Sequence, residues 1–379
     1  MIYLDYNATS PVHPEVRKAV LSVLEEDFGN PSSLHAAGRK VRDLVEKARH
    51  RILEALGDGR GQLLFTSGGT EADNLAIQGA ARLLRPRGDH IVVSAVEHQA
   101  VLHPAQSLHA EGFRVTVVPV DWWGRVDLNA LEKSLDSRTV LISVMHANNE
   151  IGTIQPVAEI ARIARERGIL FHCDAVQSFG KVPLSVSGTG PDLVSISGHK
   201  LGGPKGVGAL YIREGVKIEP LLRGGPHEKK LRAGTEGVPG IVGMAAAVEA
   251  TWRQQREGIQ EWIRDLRNML EEGLKGTIAG VQVNGHPKER LPGTLNISFA
   301  DCKGEALLMA FDLEGICVST GAACSSGSTE PSHVLTALGF PPERIEGSIR
   351  FSLGWGTTEQ EIWHCLKVIP EIVRRVRGS

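Results

Sequence analysis

Leu193-Val194-Ser195-Ile196-Ser197-Gly198-His199-Lys200-Leu201-Gly202-Gly203-Pro204-Lys205-Gly206 is the stretch on which the fold turns. Leu193–Ser197 is an apolar run of strand length. A lysine follows at the mouth of a glycine-rich turn, where a backbone can approach a ligand closely. A loop lysine is ordinarily just solvated. Held beside a serine and a histidine at a strand end, it is also an amine that can lose its proton and act as a Schiff-base nucleophile.

The same pattern recurs outward in both directions. Apolar runs of strand length occupy Gln62–Thr66, His90–Ala95, Arg114–Val118, Val140–Met145, Ile169–Cys173 and Gly208–Ile212. Helical periodicity fills Pro14–Glu26, Leu34–Leu56, Gly69–Leu84 and Val157–Arg167. Near-continuous apolar strands alternating with helices predict an α/β fold: a mostly parallel seven-stranded sheet covered on both faces. Such a sheet binds ligands beyond the carboxyl ends of its strands. One long helical stretch, Gly240–Leu274, follows. Beyond it come fewer, shorter strands, Thr294–Phe299 and Ser348–Leu353, with two helices. We expect a large domain over 15–255 and a small α+β domain built from 1–14 and 256–379.

Composition excludes several classes. The chain has 379 residues, 42 Lys plus Arg against 44 Asp plus Glu, and a formal charge of −2. There is no basic stripe for stable nucleic-acid binding. No stretch approaches the ~18 uninterrupted apolar residues of a membrane span. The start lacks a basic and then apolar leader, so the expected location is cytoplasmic. The five cysteines are odd in number and none are spaced C-x-x-C, which argues against a disulfide framework or a structural metal site. The P-loop and dinucleotide fingerprints are missing, which removes the nucleotide-dependent alternatives.

The strand ends carry polar groups of four kinds. Ser67-Gly68-Gly69-Thr70-Glu71 opens a helix after Gln62–Thr66, with free amides and a hydroxyl suited to an anion; a plain turn capped by Thr70 is the bland alternative. His98 follows His90–Ala95, where a lone histidine is more often structural than catalytic. Asp174 follows Ile169–Cys173, with Gln177 three residues on. A carboxylate there is expensive unless paired, so it caps a helix or holds a buried cation. Lys200 completes the set. Pyridoxal phosphate satisfies all four: a phosphate, an aromatic ring, a protonated ring nitrogen and an aldehyde.

The chain resembles the cysteine desulfurases, fold-type I pyridoxal-phosphate enzymes of the class V aminotransferase group. The resemblance runs nearly end to end. It is carried by Tyr3-Leu-Asp-Tyr-Asn-Ala-Thr, Gly29-Asn-Pro-Ser-Ser, Phe65-Thr-Ser-Gly-Gly-Thr-Glu, Glu97-His, Ala147-Asn-Asn-Glu-Ile-Gly, His172-Cys-Asp-Ala-Val-Gln, Ser197-Gly-His-Lys, Arg232-Ala-Gly-Thr, Gly321-Ala-Ala-Cys-Ser-Ser-Gly and Ile349-Arg-Phe-Ser-Leu-Gly. It implies that Lys200 holds the cofactor aldehyde and moves the substrate's Cα proton. Asp174 pairs with the ring nitrogen, Gln177 meets the ring hydroxyl, and His98 stacks on the ring. Gly69, Thr70, Ser197 and His199 hold the phosphate, with Thr235 reaching it across a homodimer interface. Arg350 forks onto the substrate carboxylate, and Asn149 lies near it. Pro226, where a third glycine is frequent, and Trp355, where a polar or basic residue is commoner, depart from the family pattern.

Cys324 decides the chemistry. Its run, Ser319 to Ser332, is rich in small polar residues without apolar period, which predicts an exposed, mobile loop. The resemblance makes its thiolate the group that takes sulfur from L-cysteine as a persulfide, leaving L-alanine. The acceptor would be an iron–sulfur scaffold or another sulfur-acceptor protein, including one for tRNA thiolation. No resident metal is expected; Cys324 could touch a metal only as a transient ligand to a partner's iron–sulfur cluster. Two alternatives remain. One is an aminotransferase or lyase, selenocysteine lyase included, with the same cofactor. The other is a non-catalytic docking homologue, against which the intact set of site residues argues.

Overall fold

The computed structural model describes residues 1–188, 190–320 and 330–378. A seven-stranded sheet runs in the spatial order Gln62–Thr66, Gly208–Ile212, Leu193–Ser197, Leu170–Asp174, Thr139–Ser143, His90–Ser94 and Arg114–Val118. Neighbours are parallel except Gly208–Ile212, which is antiparallel to both of its partners. All five residues of Leu193–Ser197, His90–Ser94 and Thr139–Ser143 are buried, the signature of strands covered on both faces. One apolar layer joins the sheet to helices Pro14–Glu26, Ala36–Ala55 and Val238–Arg256. The opposite layer is built around Gly69–Leu84, whose Ala72, Leu75, Ala76, Ile77, Ala80 and Ala81 are all buried.

A separate apolar cluster gathers Leu4, Leu266, Leu270, Ile297, Phe299, Phe311, Phe351 and Ile369. It lies on a three-stranded antiparallel sheet, Ser348–Ser352 beside Thr294–Phe299 beside Val281–Asn284. Helices Ile259–Thr277 and Glu359–Arg377 cover it. The latter starts on a capping box: Thr358 accepts from the Glu361 N–H, and the Glu361 carboxylate accepts from the Thr358 N–H. No described helix is long and apolar enough to cross a membrane.

Several boundaries shift by a residue or two, and two differences bear on the site. The stretch Gly240–Leu274 is two helices, Val238–Arg256 and Ile259–Thr277, broken at Gly258, whose φ of 80° only glycine adopts cheaply. Both helices keep an apolar face, so periodicity alone ran through the break. The strand expected over Ile169–Cys173 is Leu170–Asp174, and Asp174 itself pairs with Ser195.

The N-terminal segment joins the two parts. Ile2–Tyr3 pairs with Ile316–Cys317, beside the second cluster. The chain then crosses to the lysine turn, where the Ser10 N–H donates to His199 O at 3.0 Å and the His13 N–H to Gly202 O at 2.9 Å. This crossing places Asn7 and Ala8 over Lys200.

Candidate active site

A cavity of about 320 Å³ opens beyond the carboxyl ends of the central strands. Gly69, Thr70, His98, Asn149, Asp174, Gln177, Ser197, His199 and Lys200, each named above from sequence, all line it. Thus one cavity collects residues spread from 69 to 200. Val176, Met145, Ala147 and Ala8 supply apolar wall. Gly69, Thr70, Ser197 and His199 also line a second opening, with Ser67, Gly68 and Lys205.

That opening is built for an anion. The helix Gly69–Leu84 begins there, so its first amides have no intrahelical acceptor. Gly69 leaves no room for a side chain, because a Cβ would stand 2.6 Å from Val176 Cγ2. Burial and the Lys200, Lys205 and Lys181 cations push His199 down to about 4, so it is neutral at pH 7.

The floor holds carboxyl groups. Asp174 Oδ1 accepts the Val176 N–H at 2.8 Å. Burial raises Asp174 to about 6, while this N–H and Lys200 favour its charged form. Asp73, on the helix Gly69–Leu84, is 1 % exposed, and its Oδ1 has no hydrogen-bond partner among the described residues. Burial and the neighbouring Asp174 push it well above the carboxylate range. Of the two, Asp174 is the one favoured to carry the charge, because the Val176 N–H and the Lys200 cation support it, whereas Asp73 has only the Ser195 hydroxyl. Glu97 is a third buried acid, lifted by burial to about 8. It accepts from the Ser94 hydroxyl and, at 2.9 Å, from the Met145 N–H. His172 sits between hydroxyls, 2.8 Å from Ser143 Oγ and 2.9 Å from Ser195 Oγ, and burial depresses it to about 3.

Lys200 Nζ donates to Asn7 O at 2.5 Å and to Ala8 O at 2.9 Å. The same Asn7 O accepts from Gln177 Nε2 at 2.7 Å. Asn7 is itself pinned, its Nδ2 donating to Thr294 Oγ1 at 2.9 Å and Asn149 O at 3.1 Å. His98 caps the helix Gln99–Ser107, and its Nδ1 accepts the Ala100 N–H at 3.0 Å. That bond leaves the ring hydrogen on Nε2. Burial, with Lys200, His333 and His103 nearby, lowers His98 to about 4.

Arg350 is 1 % exposed and stands behind the cavity wall, not in it. Its Nη1 donates to Asn149 O at 3.1 Å and its Nη2 to Asp5 Oδ1 at 2.9 Å, and Nε has no partner among the described residues. Thr235 does not join the site of its own chain; it is exposed and lines neither opening. Its segment is nevertheless tied to the anion turn. Arg232 Nε meets Glu71 Oε1 at 2.9 Å, while Glu71 Oε2 accepts the Ser67 N–H at 2.7 Å. Upstream, Glu228, Lys229 and Lys230 all have positive φ, held by the Arg49 fork onto Glu228 at 2.8 Å on both oxygens. Cys324 lies outside the described residues. Cys173, Cys302 and Cys365 are buried, and burial pushes Cys365 up to about 12.

Sequence reasoning missed Asp73, the Asn7 and Ala8 carbonyls and Lys181. Asp73 had a signal, an acid among the apolar positions of its helix. Carbonyl acceptors carry none, since any residue supplies one.

The residues fit pyridoxal phosphate. The buried Asp174 carboxylate calls for a cation such as a protonated ring nitrogen, Lys200 supplies an amine for an aldehyde, and the Gly69 turn, which a Cβ would fill, admits a phosphate. The chain is 49 % identical over 376 residues to cysteine desulfurase IscS of Dictyoglomus turgidum, covering 99 % of this chain and 95 % of that one. It is 49 % identical over 377 residues to cysteine desulfurase IscS of Methanosarcina thermophila, covering 100 % and 93 %. A solved NifS-like protein superposes with a TM-score of 0.92 at 39 % identity, covering 99 % of each chain. Residues 2–364 match the family described as aminotransferase class-V, whose members carry pyridoxal phosphate, and with that span and these relatives the chain belongs to the class-V aminotransferases.

Proposed function

We propose that this chain is a cysteine desulfurase that binds pyridoxal phosphate in the Lys200 cavity. It converts L-cysteine to L-alanine and passes the sulfur to Cys324 as a persulfide. The observation that carries the step to Cys324 is the anchoring of both flanks of 321–329 at the site wall. On one side Ser319 Oγ donates to Asp5 Oδ1 at 3.0 Å, beside Arg350. On the other, Ser332 Oγ donates to Glu150 Oε2 at 2.5 Å, and His333 Nε2 lies 2.9 Å from Glu97 O, next to His98. Cys324 follows the anchored Ser319 by five positions in the sequence, and five residues of extended chain span at most about 18 Å.

When bound, pyridoxal phosphate supplies the electron sink that lets the substrate's Cα–H and Cβ–S bonds break. Arg350 binds the substrate carboxylate. Lys200 would hold the cofactor aldehyde, and its amine would take the substrate's Cα proton. His98, neutral with hydrogen on Nε2, would face the ring and hold a proton for the substrate nitrogen or carbon. The Cys324 thiolate would attack the substrate sulfur: the S–S bond forms as the Cβ–S bond breaks, and the electron pair of that bond stays with the carbon fragment. Protons returned to carbon by Lys200 and His98 complete alanine. The balance is L-cysteine plus Cys324–SH giving L-alanine plus Cys324–S–SH, with no outside oxidant.

On this reading residues 15–255 form the cofactor-holding domain, and 1–14 with 256–379 form the domain that carries Cys324. The working unit is a cytoplasmic homodimer in which the partner copy brings Thr235 to the phosphate, since Thr235 stands clear of its own cavity. The persulfide goes to an iron–sulfur scaffold or another acceptor protein, as the name IscS of its relatives suggests.

The test incubates the purified protein with L-cysteine and a thiol reductant and quantifies alanine and sulfide together. Equal amounts are expected, none from Lys200→Ala, and no sulfide from Cys324→Ala, which should still bind cofactor and cysteine. Keto acid or pyruvate without alanine would replace this reading by a transaminase or lyase. Full sulfide release by Cys324→Ala would remove the persulfide step.

A further inference from the structure

Lys181 takes no part in the chemistry above, yet its position is tightly specified. Its N–H donates to Ser178 O at 2.9 Å, closing a turn through Gly180, whose φ is 74°. A Cβ at Gly180 would stand 2.8 Å from Thr251 Cγ2, and Gln255 Nε2 holds Gly180 O at 2.7 Å. Lys181 thus projects into a second compartment, about 50 Å³, which it shares with Lys200, His13 and Trp355. Among the described residues no carboxylate lies within ion-pair distance of it. Burial, with the Lys200 and Arg350 cations, lowers it to about 7.

Its hydrogen-bond partner is Gln177, with Nζ donating to Oε1 at 3.4 Å. On the other side Gln177 Nε2 donates to Asn7 O at 2.7 Å, the carbonyl that also receives Lys200 Nζ at 2.5 Å. A carbonyl can only accept, and Lys181 in its ammonium form, which prevails below about pH 7, can only donate. Together they fix the carboxamide one way round, with oxygen toward Lys181 and nitrogen toward Asn7. Nε2 carries two hydrogens. Asn7 O takes one, which leaves the other for the cavity that Gln177 lines. Reversed, the amide would set its oxygen against Asn7 O and turn an acceptor toward an electron-rich ring oxygen.

We propose that Lys181 is a positioning residue: by donating to Gln177 Oε1 it holds the Gln177 carboxamide with an N–H toward the ring hydroxyl oxygen of the cofactor. The proposal rests on the reading of this cavity as a pyridoxal-phosphate site with Gln177 at that hydroxyl. It predicts coupling, because Lys181 acts only through Gln177.

The test is a double-mutant cycle on the holoenzymes, reading the dissociation constant for pyridoxal phosphate by equilibrium dialysis. Lys181→Met should weaken binding roughly 5-fold and Gln177→Leu roughly 10-fold, the scale of one charge-assisted hydrogen bond. The double variant should match Gln177→Leu within about 2-fold, and Lys181→Arg, still a pure donor, should regain most of the loss. If Lys181→Met does not fold, Lys181→Gln, whose amide can accept as well as donate, enters the same cycle. Multiplying losses, or none, would overturn the proposal while leaving the cofactor reading intact. A wild-type protein without affinity for pyridoxal phosphate would overturn both.

Discussion

Arg350 Nη2 lies 2.9 Å from Asp5 Oδ1, so the guanidinium implied to receive a substrate carboxylate is already aimed by a carboxylate of the N-terminal segment. Asp5 reaches it because the segment runs alongside the Ser348–Ser352 strand, bridging to Ser352. Asn149 O holds the other terminal nitrogen at 3.1 Å. A planar fork can serve three acceptors in fixed directions, whereas an ammonium is a point charge on a flexible stem.

Arg350→Lys should therefore raise KM for L-cysteine about 30- to 100-fold, the loss of one bidentate contact, with a smaller fall in kcat. Steady-state kinetics on cofactor-saturated protein decide it. An unchanged KM would show that the substrate carboxylate is held elsewhere.

His98 yields a prediction with a definite sign. Its folded-state value, about 4, lies below the ordinary 6.5. As pH falls from 6.5 toward 4 the unfolded chain takes up a proton that the folded chain refuses, so stability is lost over that window. His98→Gln should lose less stability than the wild type between pH 7 and pH 4.5, by up to about 2–3 kcal/mol. Urea denaturation of cofactor-free protein at the two pH values measures the difference. Equal losses would mean that His98 protonates freely in the folded state.

Much of this site was legible in the sequence because each element announces itself locally. Leu193–Ser197 carries Leu193, Val194 and Ile196 and ends at Gly198, so the strand, the turn and the place of Lys200 followed together. Asp174, Gln177 and His98 stand at strand ends for the same reason. What the sequence hides is long-range. Nothing local marks the Asn7 carbonyl as the acceptor shared by Lys200 and Gln177, nor Asp5 as the partner of Arg350, 345 residues away. Gly258 was hidden differently, since two helices that each bury an apolar face read as one when only Glu257 and the left-handed Gly258 separate them.

Gly69 couples the anion turn to the carboxylate floor. A Cβ there would press on Val176, whose N–H holds Asp174 at 2.8 Å. Gly69→Ala should loosen both ends of the cofactor at once and weaken pyridoxal-phosphate binding about 10-fold, an overpacking cost of 1–3 kcal/mol. Equilibrium dialysis gives the number, and an alanine variant that binds as tightly as wild type would show that Val176 yields without moving Asp174.

Glu150 supplies a prediction of the opposite sign. It is 4 % exposed, and burial lifts its carboxyl to about 7 despite the Ser332 hydroxyl and the Arg350 cation, which both favour the charge. A folded value above the unfolded 4.5 means that the group supports the fold fully below 4.5 and loses that support as pH rises through 7. Glutamine mimics the protonated acid, so Glu150→Gln should match the wild type near pH 5 and exceed it near pH 9, by up to about 3 kcal/mol. Denaturant midpoints at the two pH values test this. A pH-independent difference would place the charge of Glu150 in the folded state already at pH 5. It would then make the Ser332 contact at 2.5 Å a hydroxyl bound to a carboxylate, and the anchor after residue 329 insensitive to protons.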